Sequence, residues 1–277
     1  MTITGGTRLL AVIGDPIAHS LSPLIHNAWL AETGLDYVYL AFRVSAGGCA
    51  DFLTAAKTLP IAGFNATMPL KEELFPLMDR TDETALGSVN TIVNENGRFF
   101  GASTDGDGFI RALKSYGRNA AGLKTVLLGS GGAAKTVAPA LLSAGADLSV
   151  CVRDRQKARG IAGDRRVFGW ESLAELCAGA DLLVNATPLG MEGFAEFGSL
   201  DFVDVLPKRA MVFDLVYSPP QTGLLRRAAG RGREIANGLS HLIHQAALSF
   251  KYFTDIEPDE KMVADVAKLC NDALHHM

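Results

Sequence analysis

The sequence has few cysteines, no long apolar run and no block of like charge. Its four cysteines, Cys49, Cys151, Cys177 and Cys270, lie far apart and show no C-x-x-C spacing. They fall mostly in apolar, strand-like or helix-like segments. The pattern therefore predicts reduced, buried thiols.

No window approaches the apolar length of a membrane span, and the N-terminal residues lack the basic and apolar segments of a signal peptide. The formal charge is −4 with acidic and basic residues interspersed, which argues against a surface for nucleic acid or anionic membrane. We therefore expect a cytoplasmic monomer or homodimer whose partner is a small molecule.

Short β-branched runs alternate with amphipathic helical patterns, which predicts an α/β fold. The strands "RLLAVIG", "DYVYLAFRV" and "IAGFNAT" are separated by the predicted helices "SPLIHNAWLAETG" and "CADFLTAAKTL", and Asn96-Gly97 predicts a tight hairpin. The 277 residues suit two domains. The last forty or so residues read as two helices that pack back on the first domain. We expect one domain of residues 1–103 plus 239–277 and another of residues 104–238.

A glycine-rich loop opens the second series of elements, where the strand "KTVLLG" runs into "GSGGAAK". Gly129 permits the tight turn, Gly131 lets the backbone approach a pyrophosphate, and Ala134 permits close helix packing. This context predicts a doubly wound, Rossmann-type domain that binds a dinucleotide.

The next strand ends in Arg153 and Asp154, about 20 residues after the loop, where a ribose-reading group belongs. An acid accepts hydrogen bonds from the 2′-hydroxyl of NAD, whereas an arginine favours the 2′-phosphate of NADP. Asp154 is also suited to capping the predicted helix "DRQKARGIA".

Two charged residues are candidates for proton transfer. Lys71 follows a strand end in "GFNATMPLKEELF", and Asp105 lies in "TDGDG" at the expected domain boundary. Together at a cleft they would form an acid/base pair. Taken singly, Lys71 suits a solvated helix face and Asp105 a helix cap. His241 and His244 lie one turn apart without a third ligand, so no metal site is expected.

The stretch "GDPIAHSLSP" carries two serines, and an ordinary helix start explains only one of them. Ser22 and Pro23 form an ordinary helix start. That interpretation leaves Ser20 and His19 without a role.

Eight motifs in order resemble those of the shikimate dehydrogenase family, and the resemblance runs nearly end to end. They are "GDPIAHSLSPLIHN", "GFNATMPLKE", "GSVNT", "TDGDG", "GSGGAAK", "NATPLGM", "DLVYSPPQTGLL" and "NGLSHLIHQAA". The resemblance implies an N-terminal α/β substrate domain and an NAD(P)-dependent interconversion of 3-dehydroshikimate and shikimate.

The resemblance also implies roles for individual residues. Lys71 would be the acid/base, held by Asp105, and Ser20 and Ser22 would bind the substrate carboxylate. Further substrate contacts would come from Asn65, Thr67, Asn90, Tyr217 and Gln245. The cofactor would contact Gly129, Ser130, Gly131, Gly132, Ala133, Arg153, Asp154, Thr187, Val216 and Gly238.

Several positions depart from the family pattern. Val152-Arg153-Asp154 replaces a sequence suited to a 2′-phosphate, which favours NAD over NADP while Arg153 leaves both open. Ser103 replaces an asparagine, and His241 replaces a methionine near the nicotinamide. These changes keep quinate and aminoshikimate open as substrates. A non-catalytic dinucleotide-binding regulator is a further alternative, and the complete polar set argues against it.

Overall fold

The computed structural model describes residues 2–158, 160–163 and 166–276. Contacts divide the chain into two compact units. The first unit comprises Met1–Gly108 and Leu242–Ala273, and the second comprises Phe109–His241 with Leu274–Met277. Both main boundaries fall a few residues after those expected from the sequence, and each lies inside a helix.

The strands alternate with helices in both units. In chain order the strands are β1 (Arg8–Gly14), β2 (Tyr37–Arg43), β3 (Ile61–Ala66), β4 (Arg80–Thr81), β5 (Thr91–Glu95), β6 (Arg98–Ala102), β7 (Lys124–Leu128), β8 (Asp147–Val152), β9 (Val167–Gly169), β10 (Leu182–Asn185), β11 (Met211–Asp214) and β12 (Glu234–Ala236). The helices are α1 (Ser22–Thr33), α2 (Cys49–Thr58), α3 (Lys71–Leu74), α4 (Asp105–Ser115), α5 (Gly132–Ser143), α6 (Leu173–Ala178), α7 (Asp201–Asp204), α8 (Gly223–Gly230), α9 (Leu239–Thr254) and α10 (Glu260–His276).

The first unit is built on a mixed sheet with the order β2-β1-β3-β5-β6-β4. Strands β1, β2 and β3 run parallel, while β5 pairs antiparallel with both β3 and β6. The predicted hairpin is β5–β6, and Asn96 and Gly97 both take the positive φ that its turn needs. The predicted return of the C-terminal helices is also seen, because most of α9 and α10 belongs to this unit.

The second unit contains a parallel sheet with the order β12-β11-β10-β7-β8-β9. This order confirms the predicted doubly wound fold. Alternate residues of β7 face opposite layers: Leu127 packs with α4 and α5, whereas Val126 and Leu128 pack with α6, α7 and α8. Strand order reverses between β7 and β10, and ligands of such sheets bind at the carboxyl ends of the strands beside this point.

The stretch after β8 differs from its prediction. Instead of a helix over "DRQKARGIA", the chain makes a short 3-10 helix over Arg155–Ala158, and Arg159 lies outside the described residues. Asp154 supports this turn, because its Oδ1 accepts the N–H of Gln156 at 3.0 Å. The capping role considered for Asp154 is therefore present, on a shorter element than expected.

All four cysteines are free and buried, as the sequence predicted. Burial raises the pKa of the thiols of Cys49, Cys151 and Cys177 to about 12, and that of Cys270 to about 11. None of the helices in the described part of the chain is both long enough and apolar enough to cross a bilayer.

Gly108 lets α4 pass close to α9 in the first unit. A Cβ added to Gly108 would lie 2.6 Å from Cβ of Gln245 and 2.8 Å from its main-chain N and Cα. Because backbone cannot move aside as easily as a flexible side chain, only glycine fits here. The contact fixes the approach of α4 to the turn of α9 that carries Gln245.

Replacing Gly108 with alanine is expected to lower the free energy of unfolding by about 1–3 kcal/mol, because the methyl group must displace α9. Thermal unfolding checks this through a lower Tm, by about 2–4 °C per kcal/mol. Gly230→Ala is the control, since a Cβ there meets nothing within 4 Å. The control should stay within about 0.5 kcal/mol of the native chain. Equal Tm values for the two variants would contradict the packing argument.

Candidate active site

The β5–β6 hairpin and the start of α3 bring together side chains that are distant in sequence. Thr91 of β5 lies opposite Ala102 of β6, so the residues flanking the two strands also lie near each other. The N–H of Val89 donates to the carbonyl of Lys71 at 3.0 Å, which joins the hairpin to α3. Strand β6 then leads directly into Asp105, the first residue of α4.

Lys71 and Asp105 form a close ion pair. Lys71 Nζ lies 2.6 Å from Asp105 Oδ2, with the lysine side chain 18% exposed and the aspartate side chain 3% exposed. Asn90 Nδ2 donates to the other carboxylate oxygen at 2.9 Å. A buried carboxylate is tolerated when a cation and hydrogen bonds compensate its lost hydration. Lys71 retains contact with solvent, so its ammonium can exchange a proton with a ligand.

Asn90 connects Asp105 with Gln245 on α9. Its amide Nδ2 also lies 3.1 Å from Gln245 Oε1, and its Oδ1 accepts the N–H of Thr104 at 2.9 Å. Because the Thr104 N–H can only donate, it fixes which way the Asn90 amide faces. Four of the expected site residues, Lys71, Asp105, Asn90 and Gln245, therefore form one hydrogen-bonded group.

Asn65 lies near the end of β3, and its side-chain amide bonds to residues of β2 and α9 and to the main chain of Asn90. Its Oδ1 accepts the hydroxyl of Tyr39 at 2.7 Å, and its Nδ2 lies 2.9 Å from the carbonyl oxygen of Asn90 and from Ser249 Oγ. The residue is 6% exposed. Its hydrogen-bonding capacity is therefore used internally.

Ser20, Ser22 and Thr67 follow the carboxyl ends of the neighbouring strands β1 and β3. The N–H of Ser22 donates to Ser20 Oγ at 3.3 Å, and Ser22 itself is buried in the first turn of α1. Thr67 is half-buried, and its N–H donates to Ile13 of β1 at 2.9 Å. The hydroxyl of Ser20, rather than that of Ser22, supports the local turn.

In the second unit, the glycine-rich loop follows β7 at the point where strand order reverses. Gly129 has a φ of +117°, and a Cβ there would lie 3.0 Å from the carbonyl oxygen of Ala186. Helix α5 begins at Gly132 without a side-chain cap, and a Cβ on Gly131 would meet no atom within 4 Å. The arrangement fits a pyrophosphate, because open space adjoins uncapped N–H groups at the positive end of a helix.

The other expected cofactor residues follow the carboxyl ends of the same sheet. Ser130 and Ala133 belong to the loop and first turn, Thr187 follows β10, and Arg153 and Asp154 are exposed after β8. Gly238 N–H donates to the carbonyl of Val216 at 3.0 Å, and a Cβ on Gly238 would lie 1.9 Å from Leu215 O. Tyr217 belongs to this unit and is half-buried.

A buried polar group that the sequence did not reveal joins two of these segments. Asn185 Nδ2 donates to Asp214 Oδ1 at 2.9 Å, which links the ends of β10 and β11. Asn185 Oδ1 accepts the N–H and the hydroxyl of Thr187, and Asp214 Oδ1 accepts the N–H of Val216. The hydroxyl of Thr222 donates to Asp214 Oδ2 at 2.6 Å. The group thereby fixes Thr187 and Val216 beside the switch in strand order.

Burial raises the pKa of Asp214 from its ordinary value of 3.8 to about 6. Its donors, Thr222, Val216 and Asn185, oppose the shift, but none carries a charge. Loss of hydration therefore outweighs the three hydrogen bonds.

Both the sequence and the structure of this chain are similar to those of known proteins. A sequence model described as the shikimate dehydrogenase substrate binding domain matches residues 12–92. The shikimate dehydrogenase (NADP(+)) of Alkaliphilus metalliredigens is 40% identical over 91% of this chain and 93% of its own length. The crystal structure of shikimate dehydrogenase from Aquifex aeolicus superposes with a TM-score of 0.87 at 33% identity, covering 96% of this chain and 99% of that one. The Thermus thermophilus enzyme in complex with NADP(H) and shikimate gives a TM-score of 0.84 at 35% identity, covering 94% and 98%.

Asp214 is expected to make stability depend on pH. Because its pKa is about 6 in the fold and 3.8 when unperturbed, the ionised form opposes folding above pH 6. That cost, about 3 kcal/mol at most, is relieved as the pH falls from about 6 toward 4. Asp214→Asn removes the titration, so the native chain should gain about 1 kcal/mol relative to this variant between pH 7 and pH 5.

Urea unfolding of both proteins at the two pH values measures this difference. Asp201→Asn, at an exposed position of the same unit, is the control and should follow the native pH dependence. If the free energies of unfolding of the native chain and Asp214→Asn changed with pH in parallel, burial would not raise the pKa of Asp214.

Proposed function

Because the chain belongs to the shikimate dehydrogenase family, we propose that it is an NAD(P)-dependent oxidoreductase that interconverts 3-dehydroshikimate and shikimate. The observation that carries this proposal is the ion pair of Lys71 and Asp105, 2.6 Å apart. Lys71 lies within residues 12–92, which the model of the family's substrate-binding domain matches, and Asp105 lies in the same unit. A cytoplasmic location fits the four free, buried cysteines.

The two units have separate tasks in this proposal. The first unit is the substrate-binding and catalytic domain, and the second binds the dinucleotide. Gly129 to Ala133 would hold the pyrophosphate, with Thr187, Val216 and Gly238 completing the site near the ends of β10, β11 and β12. When bound, the nicotinamide supplies or accepts the hydride, and the protein supplies alignment and one proton.

Lys71 acts as the acid in reduction and as the base in oxidation, at the oxygen on C3 of the substrate. Asp105 keeps the lysine charged and oriented, because a neighbouring carboxylate favours the ammonium form. Asn90 holds the second oxygen of Asp105, so the carboxylate cannot rotate away from Lys71. The pair is thus aligned before substrate arrives, which lowers the entropic part of the barrier.

The substrate is oriented by hydroxyl and amide groups. Ser20 and Ser22 would bind its carboxylate, beside the uncapped N-terminus of α1, where N–H groups and the helix dipole favour an anion. Its remaining polar groups would contact Thr67, Asn90, Tyr217 and Gln245. A polyol acid needs such a set, because each hydrogen bond left unmade costs roughly 1–3 kcal/mol.

We also propose that NAD is preferred over NADP. Asp154 is exposed at the end of β8, and its contact with Gln156 N–H holds it there. A carboxylate at this position accepts hydrogen bonds from a ribose 2′-hydroxyl and repels a 2′-phosphate. The relative from Alkaliphilus metalliredigens is named for NADP(+), so the proposed preference of this chain differs from the cofactor in that name.

Lys71→Ala should lower kcat with shikimate by about 10²–10⁴-fold, because the proton at the reacting oxygen loses its carrier. Steady-state assays with shikimate, quinate and aminoshikimate, each with NAD and NADP, check this and identify the preferred acid. Lys268→Ala, at an exposed position of α10, is the control and should keep native rates. Full activity of Lys71→Ala would end its assignment as the acid/base. Cofactor binding without turnover of any of the three acids would instead favour a regulator.

Asp154→Ser should raise kcat/KM for NADP relative to NAD by about tenfold, because one charge beside the 2′-phosphate is removed. Kinetics with each cofactor at saturating shikimate measure the ratio. Asp201→Asn is again the control, since the charge change is the same and the position lies outside the proposed site. If the native chain strongly prefers NADP, Arg153 dominates and the proposed preference is wrong.

A further inference from the structure

Four buried polar residues lie behind the Lys71 group and take no part in the proposed chemistry. They come from β2, β3, β5 and α9, and we call them the support cluster: Tyr39, Asn65, Thr91 and Ser249. Tyr39, Thr91 and Ser249 are fully buried, and Asn65 is nearly so. Buried polar groups that are fully bonded rigidify their surroundings, so the support cluster is suited to holding neighbouring side chains in place.

The phenol of Tyr39 is held as a hydrogen-bond donor. Its ring stacks parallel to that of His26, with centroids 4.2 Å apart. Burial raises the pKa of Tyr39 well above its ordinary value and lowers that of His26 to about 3, so both groups stay neutral. The hydroxyl must therefore donate its proton to Asn65 Oδ1, which can only accept.

The carbonyl oxygen of Asn90, which can only accept, determines the orientation of the Asn65 amide. With Oδ1 turned toward Tyr39, Nδ2 must face the carbonyl oxygen of Asn90 and Ser249 Oγ, each at 2.9 Å. The reverse orientation would set Oδ1 against the Asn90 carbonyl, with two acceptors facing each other. Asn65 thus joins three elements through one fixed amide.

Thr91 and Ser249 extend the contact to the side chain of Asn90 and the backbone of Gln245. Thr91 Oγ1 lies 3.0 Å from Asn90 Oδ1 and 2.7 Å from Ser249 Oγ. Ser249 Oγ also lies 3.1 Å from the carbonyl oxygen of Gln245, one helical turn earlier on α9. The support cluster therefore touches both main chain and side chain of Asn90, and the main chain of Gln245.

We infer that the support cluster positions Asn90 and Gln245 relative to Asp105, and that Asn65 is a positioning residue rather than a substrate contact. The inference rests on the proposed function for the roles of Lys71, Asp105, Asn90 and Gln245. All four members are neutral, so they impose direction on the amides without adding charge beside the ion pair. Ser20 and Ser22 lie outside the cluster, so carboxylate binding should persist when it is disturbed.

Two substitutions at Thr91 separate positioning from packing. Thr91→Val keeps the shape and removes the hydroxyl, whereas Thr91→Ser keeps the hydroxyl and removes a methyl group. We expect kcat to fall about tenfold to a hundredfold in Thr91→Val, with KM changed less than about threefold, because small displacements of catalytic groups have effects of this size. Thr91→Ser should stay within about threefold of native kcat. Equal losses, or a larger loss in Thr91→Ser, would overturn the inference.

A second pair tests the donor at Tyr39. Tyr39→Phe removes only the hydroxyl and should lower kcat in the same way, by about tenfold. Tyr37→Phe makes the same chemical change two residues away, where the hydroxyl accepts from the exposed side chain of Arg8. This control should keep native kinetics. Native kcat in Tyr39→Phe would overturn the role given to the phenol.

A readout without turnover keeps the inference independent of the proposed reaction. Side-chain amide NMR signals of Asn90 and Gln245 should shift or broaden in Thr91→Val and Tyr39→Phe. They should stay at native positions in Thr91→Ser and Tyr37→Phe. If the native chain oxidises no shikimate, the proposed function fails while the amide signals still decide whether the cluster orients these groups. Unchanged signals in Thr91→Val would overturn the inference even in an active enzyme.

Discussion

The arrangement of the first unit depends on compensating the charge of the buried Asp105 carboxylate. Its side chain is 3% exposed, and the ammonium of Lys71 and the amide of Asn90 occupy one oxygen each. Removing Lys71 would take the countercharge from a buried carboxylate, and removing Asn90 would take away one of its hydrogen bonds. The parallel strand β3, the β5–β6 hairpin and the short helix α3 are the elements that bring these partners to it. The mixed sheet of this unit thus places three separated segments around one carboxylate.

The second unit also buries a carboxylate, that of Asp214, but with no cation beside it in the described part of the chain. Asp214 is as deeply buried as Asp105, yet its partners are a threonine hydroxyl, an asparagine amide and a backbone N–H. Without a cation the carboxyl is destabilised, and its pKa rises. The same residue type is therefore part of an ion pair in one unit and joins two loops through neutral partners in the other.

Much of the fold and of the candidate site could be predicted from the sequence. The contacts and elements that were not predicted have physical reasons. Lys71, Asp105 and the loop at Gly129 follow strand ends, where the pattern of apolar runs marks a change of direction. Asn185 and Asp214 also end strands, but each follows an apolar run and resembles an ordinary loop start, so only the register between β10 and β11 reveals their contact. Asn65 could be located, but its partners come from three elements whose packing the sequence does not specify. The sequence predicts a longer helix after Asp154 because helix-forming residues follow it, whereas the described residues there form a 3-10 helix over Arg155–Ala158.

The buried thiols have a practical consequence. Alkylating reagents attack the thiolate, and burial both shields all four cysteines and raises their pKa. The native thiols of the folded chain should therefore not react with maleimides and similar labels under mild conditions. A single cysteine introduced at an exposed site would be the one reactive thiol, so fluorophores or spin labels could be attached there without removing any native residue.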